Sequence, residues 1–483
     1  MADEFVDVLI VGAGLSGIGA ASHLQRLCPG RSVAILEGRH SLGGTWDLFR
    51  YPGVRSDSDM YTLGYSFRPW THDKAIADGS AILQYLRDTA HEQGVDRLIR
   101  YGHRVRNASW SSEAAQWTVE ATRDDGEPVS LRCAFLLMCS GYYDYAEGYT
   151  PDFPGRERFA GRVVHPQQWT DDIEYIGKRV VVIGSGATAV TMVPELARQA
   201  AHVTMLQRSP SYVASRPSVD RVAGWLQRNM GVSRAHALSR WKNMLLALIL
   251  FRVCRHKPQF AKSALIKQVR RQLGPHFDVE THFTPRYNPW EQRLCLVPDG
   301  DLFKAIRAQR ASVVTDRIES FTESGLKLAS GAELPADLVV TATGLKLKVV
   351  GGAELFVDGR KLEPAQLVNY KGIMFAGVPN LASIFGYTNA SWTLKADLAA
   401  TFVCRLLNHM QQTGARQCVA MTDDPAMPSQ PWVDFSSGYF QRAVQQMPRQ
   451  GEKRPWKLNQ NYLSDFFTLR YGAVDDGVMR FSG

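Results

Sequence analysis

Two glycine-spaced loops hold the residues best suited to chemistry, and in both that chemistry is the cradling of a pyrophosphate. Gly12-Ala13-Gly14-Leu15-Ser16-Gly17 is a complete GxGxxG. The first glycine permits a tight turn, the second lets a pyrophosphate approach the backbone, and the third lets a following helix pack on the preceding strand. The helix start then offers free N–H groups and the positive end of its dipole. Glu37 closes the next apolar stretch, where a carboxylate can accept hydrogen bonds from a ribose diol. Gly184-Ser185-Gly186-Ala187-Thr188-Ala189 is GxGxxA, the tolerated variant, and its following stretch ends Leu206-Gln207-Arg208-Ser209 with no carboxylate. An acid there would repel a 2′-phosphate, whereas Arg208 can pair with one. The reading is FAD at the first loop and NADPH, ahead of NADH, at the second; a solvated surface role is the alternative for Arg208.

The elements around these loops repeat. Val6 to Val11 reads as a strand, Leu15 to Leu27 as a helix and Ser32 to Leu36 as a strand. Arg179 to Ile183, Ala187 to Gln199 and His202 to Leu206 give the same order again. Between Pro217 and Gly274 the pattern turns helical. Met244 to Phe251 within it is strongly apolar but too short to span a bilayer; it reads as a buried helix, with membrane contact as the lesser alternative. Ala336 to Gly344 is an apolar strand entering a small-residue loop, a place for backbone to come close to a flavin. The tail after Thr422 reads as loops with short helices. The fold expected is α/β, with two Rossmann-like dinucleotide-binding domains, the second inserted into the first and carrying a helical subdomain. The limits are 1–145 for the first part of the FAD domain, 146–344 for the NADPH domain with its helical insertion at about 215–285, and 345–483 for the second part of the FAD domain and the C-terminal region.

Bulk properties exclude several classes. The 483 residues are 45% hydrophobic and 21% charged, ordinary for a globular protein that buries large cores. The start, MADEFVDVLIVGAG, carries acids where a secretory leader carries Lys or Arg, and no apolar run reaches membrane-spanning length. The seven cysteines form no CxxC, which suits reduced thiols and a cytoplasmic location and disfavours a zinc site or a disulfide reductase. The net charge is +9. The basic residues form no dense run and are read as spread along the chain, matching polyanionic cofactors and arguing against nucleic acid; weak attraction to a membrane surface, without insertion, stays open.

Longer motifs bring a resemblance. Gly44-Thr45-Trp46-Asp47-Leu48-Phe49-Arg50-Tyr51-Pro52-Gly53-Val54-Arg55-Ser56-Asp57 is similar to the GxWxxxxYPGxxxD stretch of Baeyer–Villiger monooxygenases, the class B flavoprotein monooxygenases. Phe159 to Trp169 resembles their FxGxxxHxxxW fingerprint, with Thr170 where Pro or Asp is usual. Tyr287 to Pro298 and Gly386 to Lys395 extend the likeness over nearly the whole chain, most closely to the ethionamide-activating branch.

The resemblance implies that Ser16, Glu37, Thr45, Trp46, Asp47, Leu48 and the backbone at Val105 hold FAD. Gly184 to Val190, Arg208 and Ser209 would hold NADPH, and Arg55, Ser56 and Asp57 would lie beside the nicotinamide. Arg293 aligns with the family's active-site arginine, oriented by Asp57, where it would stabilise a C4a-peroxyflavin attacking a ketone carbonyl. Gln292 departs from members with lysine there, which softens the preference for NADPH. His165 is expected to orient the interdomain linker, Trp46 and Trp169 to pack, Trp392 to line the substrate pocket, and the helical insertion and the loop around Arg55 to Asp57 to act as lids. Implied substrates are O2 and a ketone or thioether. A heteroatom monooxygenase that does not need Arg293 and a non-catalytic flavin redox sensor are the competing readings.

Overall fold

The computed structural model describes residues 4–422, 424, 427–433 and 435–483. The remainder, which includes the first residues of the start read as non-secretory and part of the tail after Thr422, lies outside the described residues.

Along the chain, β1 (Glu4–Val11), α1 (Leu15–Leu27) and β2 (Val33–Leu36) form the first βαβ unit with β3 (Ile99–Arg100). The meander β4 (His103–Ser111), β5 (Gln116–Arg123) and β6 (Pro128–Met138) follows, then β7 (Tyr143–Gly148). The second unit comprises β8 (Arg162–Val164), β9 (Arg179–Ile183), α2 (Ala187–Leu196) and β10 (His202–Gln207). Three helices come next: α3 (Arg221–Met230), α4 (Val232–His256) and α5 (Pro258–Leu273). β11 (Ala311–Thr315), β12 (Leu338–Thr341) and β13 (Leu345–Leu347) lead back to the first sheet through β14 (Glu354–Val357), β15 (Arg360–Leu362) and β16 (Leu381–Ser383). Helices α6 (Trp392–Thr413) and α7 (Tyr462–Arg470) lie in the C-terminal part.

The first sheet runs β15-β14-β4-β5-β6-β1-β2-β3, with β16 on β6. The second runs β11-β10-β9-β12-β8 and is parallel throughout. Central strands such as β1 are apolar along their C-terminal halves because both faces are covered: Val8 and Ile10 pack with residues of α1 and α6, and Leu9 and Val11 with Trp110, Trp117 and Val119 of the meander and Leu355 of β14. The fold is therefore α/β with two Rossmann-like units. The chain crosses between them twice, and the crossings pair as the antiparallel ribbon β7–β13.

The helical segment departs from two expectations. It does not belong to the second unit alone: Ile266, Val269 and Leu273 of α5 enter the second core, but Ala223 of α3 enters the first and Met244 of α4 packs with Tyr387 and Leu394. Nor is the run Met244 to Phe251 a buried helix, since only its inner side has neighbours and Leu245, Leu246, Ile249 and Leu250 are exposed. Its freedom as a lid is limited. The buried Arg240 of α4 donates to Asp397 of α6 at 2.9 Å and to the carbonyls of Tyr61, Thr62 and Gly64 at 2.6 to 3.2 Å.

Candidate active site

Register brings the two glycine loops into equivalent positions. Val11 pairs with Leu36 and Met138, so β1, β2 and β6 end together. Gly12 then donates to Leu36 O at 2.8 Å, and a Cβ on Gly12, whose φ is +103°, would meet Cys139 O at 2.7 Å. In the second unit Gly184 donates to Leu206 O at 2.8 Å, and a Cβ at its φ of +138° would meet Ala342 O at 2.4 Å. Both loops thus sit outside the carboxyl ends of parallel strands, the usual place for a nucleotide in such sheets. Gly17 packs α1 onto its strand, for a Cβ there would lie 1.9 Å from Gly12 O.

One cavity of about 1550 Å³ joins the loops. That exceeds the ~300–1,000 Å³ of an ordinary small-molecule pocket and leaves room for more than one ligand. Gly12, Gly14, Ser16, Glu37, Gly44, Thr45, Trp46, Leu48 and Val105 line one end, and Gly184 to Thr188, Arg208 and Ser209 the other, with Arg55, Ser56, Asp57, Gln292 and Arg293 between. Asp47 does not line it. The Asp47 carboxylate is buried and taken up by Ser41 at 2.5 Å and Arg39 at 2.7 Å, so it braces the loop. Ala189 and Val190 also turn away, into the second core, as the inner face of α2 requires.

The chain's own groups fit two dinucleotides. Glu37 is buried, with one oxygen accepting from Ala13 N at 2.8 Å and the other from Arg39 N at 3.0 Å; each keeps a lone pair for a ribose hydroxyl. Burial pushes its carboxyl above the usual range, against the pull of those two bonds. Trp392 donates its indole N–H to Ser16 Oγ at 2.8 Å, which leaves the serine proton free for an acceptor. At the second loop a Cβ on Gly186 would meet nothing within 4 Å, so that backbone is open to an incoming phosphate. Arg208 is exposed and has no hydrogen-bond or ion-pair partner among the described residues. Arg55 pairs with Asp301 at 2.6 Å through one nitrogen while its other terminal nitrogen is buried and unpaired, an unspent donor at the cavity wall.

Between the loops Arg293 forms a two-pronged pair with Asp57, Nε to Oδ2 at 2.8 Å and Nη2 to Oδ1 at 2.9 Å. Both residues line the cavity, and the arginine side chain keeps 39% of its surface open. The Asp57 charge holds the guanidinium well above even its usual range. The loop bearing Arg293 is fixed from three sides. Tyr212 OH donates to Tyr287 O at 2.7 Å, Ser436 N and Oγ donate to Glu291 O at 3.1 and 2.8 Å, and Phe251 of α4 meets Trp290 edge-on.

Sequence reasoning missed the phenols around this pair. Tyr142 and Tyr143, whose hydroxyls are 2.9 Å apart, and Tyr439 stand close enough to Arg293 to feel its charge. Burial pushes all three above the ordinary tyrosine range, so they stay protonated donors. Ser140-Gly141 after the apolar β6 was a legible signal for the first two; nothing in the tail marked Tyr439. Trp392 lines the cavity stacked on Tyr142. His165 accepts from Gln167 N through Nδ1 and donates through Nε2 to Gly344 O at 2.9 Å, tying the two crossings together. Burial lowers its pKa, so the ring is neutral. Trp169 packs in the second core.

Two dinucleotide cradles opening on one cavity, with a fixed cation between them, define a two-dinucleotide flavoprotein oxidoreductase. The chain belongs to the flavin-binding monooxygenase-like family, whose model matches residues 7–374. It is 52% identical over 480 residues to the FAD-containing monooxygenase EthA of Mycobacterium tuberculosis H37Rv, covering 99% of this chain and 98% of that protein. EthA of Mycolicibacterium smegmatis is 50% identical over 480 residues, covering 99% and 97%. Among solved structures, an oxidized steroid monooxygenase bound to NADP matches with a TM-score of 0.78 at 23% identity, over 99% of both chains. An open structure of cyclohexanone monooxygenase matches with a TM-score of 0.77 at 19% identity, over 99% of this chain and 100% of that one. At such identities the structural likeness is one of fold.

Proposed function

We propose that the protein is an FAD- and NADPH-dependent Baeyer–Villiger monooxygenase: a ketone, O2, NADPH and a proton give an ester or lactone, NADP+ and water. The observation that carries this reading is the Arg293–Asp57 pair, a permanent cation facing the cavity between the two glycine loops. Bound FAD, reduced by NADPH, supplies the oxygen-activating chemistry. Gly12, Gly14, Ser16, Glu37, Gly44, Thr45, Trp46, Leu48 and the Val105 backbone would hold it. Gly184 to Thr188, Arg208 and Ser209 would hold NADPH, with the spare nitrogen of Arg55 turned to the same ligand.

The chain's own contribution is electrostatic. Negative charge develops on the ketone oxygen during oxygen insertion, and a guanidinium that keeps its protons stabilises that charge without quenching a nucleophile. Asp57 fixes its orientation. The protonated phenols of Tyr142, Tyr143 and Tyr439 can donate hydrogen bonds in the same region. Aromatic walls from Tyr142, Phe385, Trp392 and Phe440 also suit a thioether sulfur, so sulfoxidation is a second activity of this reading. The domain limits that go with this reading are 1–145, 146–344 with the helical insertion at about 215–285, and 345–483; the paired ribbon β7–β13 supports the two boundaries between them.

Product analysis tests the proposal. An ester formed stoichiometrically with NADPH consumed supports it; ketones left untouched while thioethers become sulfoxides would replace it with heteroatom oxygenation.

A further inference from the structure

The positive charge of this chain is not spread out. Residues 221–277 contain twelve Arg and Lys and no Asp or Glu, so the rest of the molecule carries a net charge of −3 against +9 for the whole. This acid-free segment is helices α3 to α5. On α4 the buried residues Ala235, His236, Ser239, Arg240, Asn243 and Met244 occupy one face. The opposite face presents Leu238, Trp241, Leu245 and Ile249 at spacings of three and four, and Ile249 is 57% exposed. Exposed Arg234 and Arg252 continue the same stripe at either end. Trp241 meets Phe466 of α7 at 5.2 Å, which extends the apolar surface to Phe467 and Tyr471, both more than 60% exposed.

We propose that this α4 face docks the protein on the surface of an anionic lipid bilayer. A contiguous apolar stripe of this kind on a water-facing helix marks an interaction site. Its charge selects the occupant. An aliphatic and tryptophan stripe bracketed by arginines, on a segment without acids, is the pattern of a helix lying in the interface plane, apolar side toward the acyl boundary and cations toward anionic headgroups. A second copy meeting the same face would press two acid-free segments of like charge together. A nucleic acid would have no use for the leucines and isoleucine. No helix of the described residues is long and apolar enough to cross a membrane, so the contact is peripheral. The inner face of α4 reaches the reaction chamber: Met244 packs on Tyr387, which lines the cavity. A docked molecule therefore holds its cavity one helix away from the lipid. That last consequence, supply of lipophilic substrates from the bilayer, rests on the proposed function; the docking does not.

The test is sedimentation of the flavin-loaded full chain with vesicles of phosphatidylglycerol and phosphatidylcholine in equal parts, and with phosphatidylcholine alone. The protein is expected to pellet with the first, to stay in solution with the second, and to be released by salt. Leu245→Asp with Ile249→Asp should lower the partition coefficient about tenfold or more at low salt. Arg234→Glu with Arg252→Glu should lower it comparably. All four side chains are exposed, and flavin content per chain and melting temperature check that both variants fold. The proposal is overturned if the parent protein stays in solution with anionic vesicles, or if both variants bind as it does. It is likewise overturned if sedimentation velocity without lipid shows a dimer that Ile249→Asp dissociates, because a second copy then covers the face.

Discussion

At the scale of single residues, three side chains divide the work. In the proposed function Arg293 would supply charge, Asp57 direction and Arg208 a hold on the 2′-phosphate, and the two-pronged Arg293–Asp57 geometry matters because only a planar fork can be oriented by a carboxylate in this way. Arg293→Ala should therefore reduce ester formation by about 10²–10³-fold, the cost of one lost donor to a developing oxyanion. Flavin bleaching by NADPH should persist, since the cradles do not include that side chain; rapid-mixing absorbance alongside product chromatography separates the two effects. Unchanged ester yield would remove Arg293 from the mechanism. Arg208 has no partner among the described residues, so its loss costs the fold little. A charge-assisted hydrogen bond of about 1.5–3 kcal/mol to a 2′-phosphate implies that Arg208→Ala raises KM for NADPH by about ten- to a hundred-fold and leaves KM for NADH nearly unmoved. Equal changes for both would place the phosphate elsewhere.

At the scale of elements, α4 is the piece that composition described least well. Its inner face is polar where it is most buried. Arg240 reaches three carbonyls and Asp397, Asn243 donates to Asp59 at 2.9 Å, and His236 accepts from Trp70 N at 3.4 Å. Arg240→Met removes the cation and leaves the buried Asp397 carboxylate, among the described residues, with only His23 and Ser66 N within hydrogen-bonding distance, a loss of about 3–5 kcal/mol for a broken buried pair. Equilibrium denaturation in urea should show it as a lowered midpoint. His236 adds a pH dependence. Burial, then the Arg240 charge, lowers its pKa from 6.5 to about 4. Unfolded chains bind a proton on this ring below pH 6.5 and the folded protein does not until about 4. Stability present above pH 6.5 is therefore lost as pH falls toward 4, by about 3 kcal/mol from this group. Thermal midpoints measured from pH 7 to pH 4 should fall more steeply for the parent protein than for His236→Gln; parallel curves would show that the ring titrates freely.

At the scale of the molecule, two sheets become one site because the chain crosses between them twice through a paired ribbon and because the helical segment is fastened to both. His165 and Gly344 lock one crossing to the other, so the glycine loops face a common cavity and not two separate surfaces. The thiols lie mostly inside the separate cores: Cys28, Cys139, Cys404 and Cys418 in one, Cys133 in a second and Cys295 in a third. All seven cysteines are free and buried. A disulfide reagent such as dithionitrobenzoate should accordingly titrate almost none in the native protein and seven in denaturant. Rapid native labelling would mean that part of the fold opens readily.

Much of this was legible along the chain. The glycine loops, Glu37, the missing carboxylate beside Arg208 and the two βαβ units are local patterns, since turn, strand and helix start are set by neighbours in sequence. Leu15–Leu27 forms a helix over the limits its periodicity predicts. Other features required tertiary structure. Asp47 sits inside a cofactor-like motif yet faces Arg39 and Ser41, and Tyr439 joins Arg293 from a tail without a motif. The apolar run of α4 reads as core because hydropathy does not record which face has a neighbour. Sequence by itself determined the nucleotide cradles and the sheets that carry them, because those rest on residues a few positions apart. Only the packed chain decided what stands around Arg293, which face of α4 meets water and which carboxylates are spent on bracing, because those depend on side chains hundreds of residues apart arriving at one place.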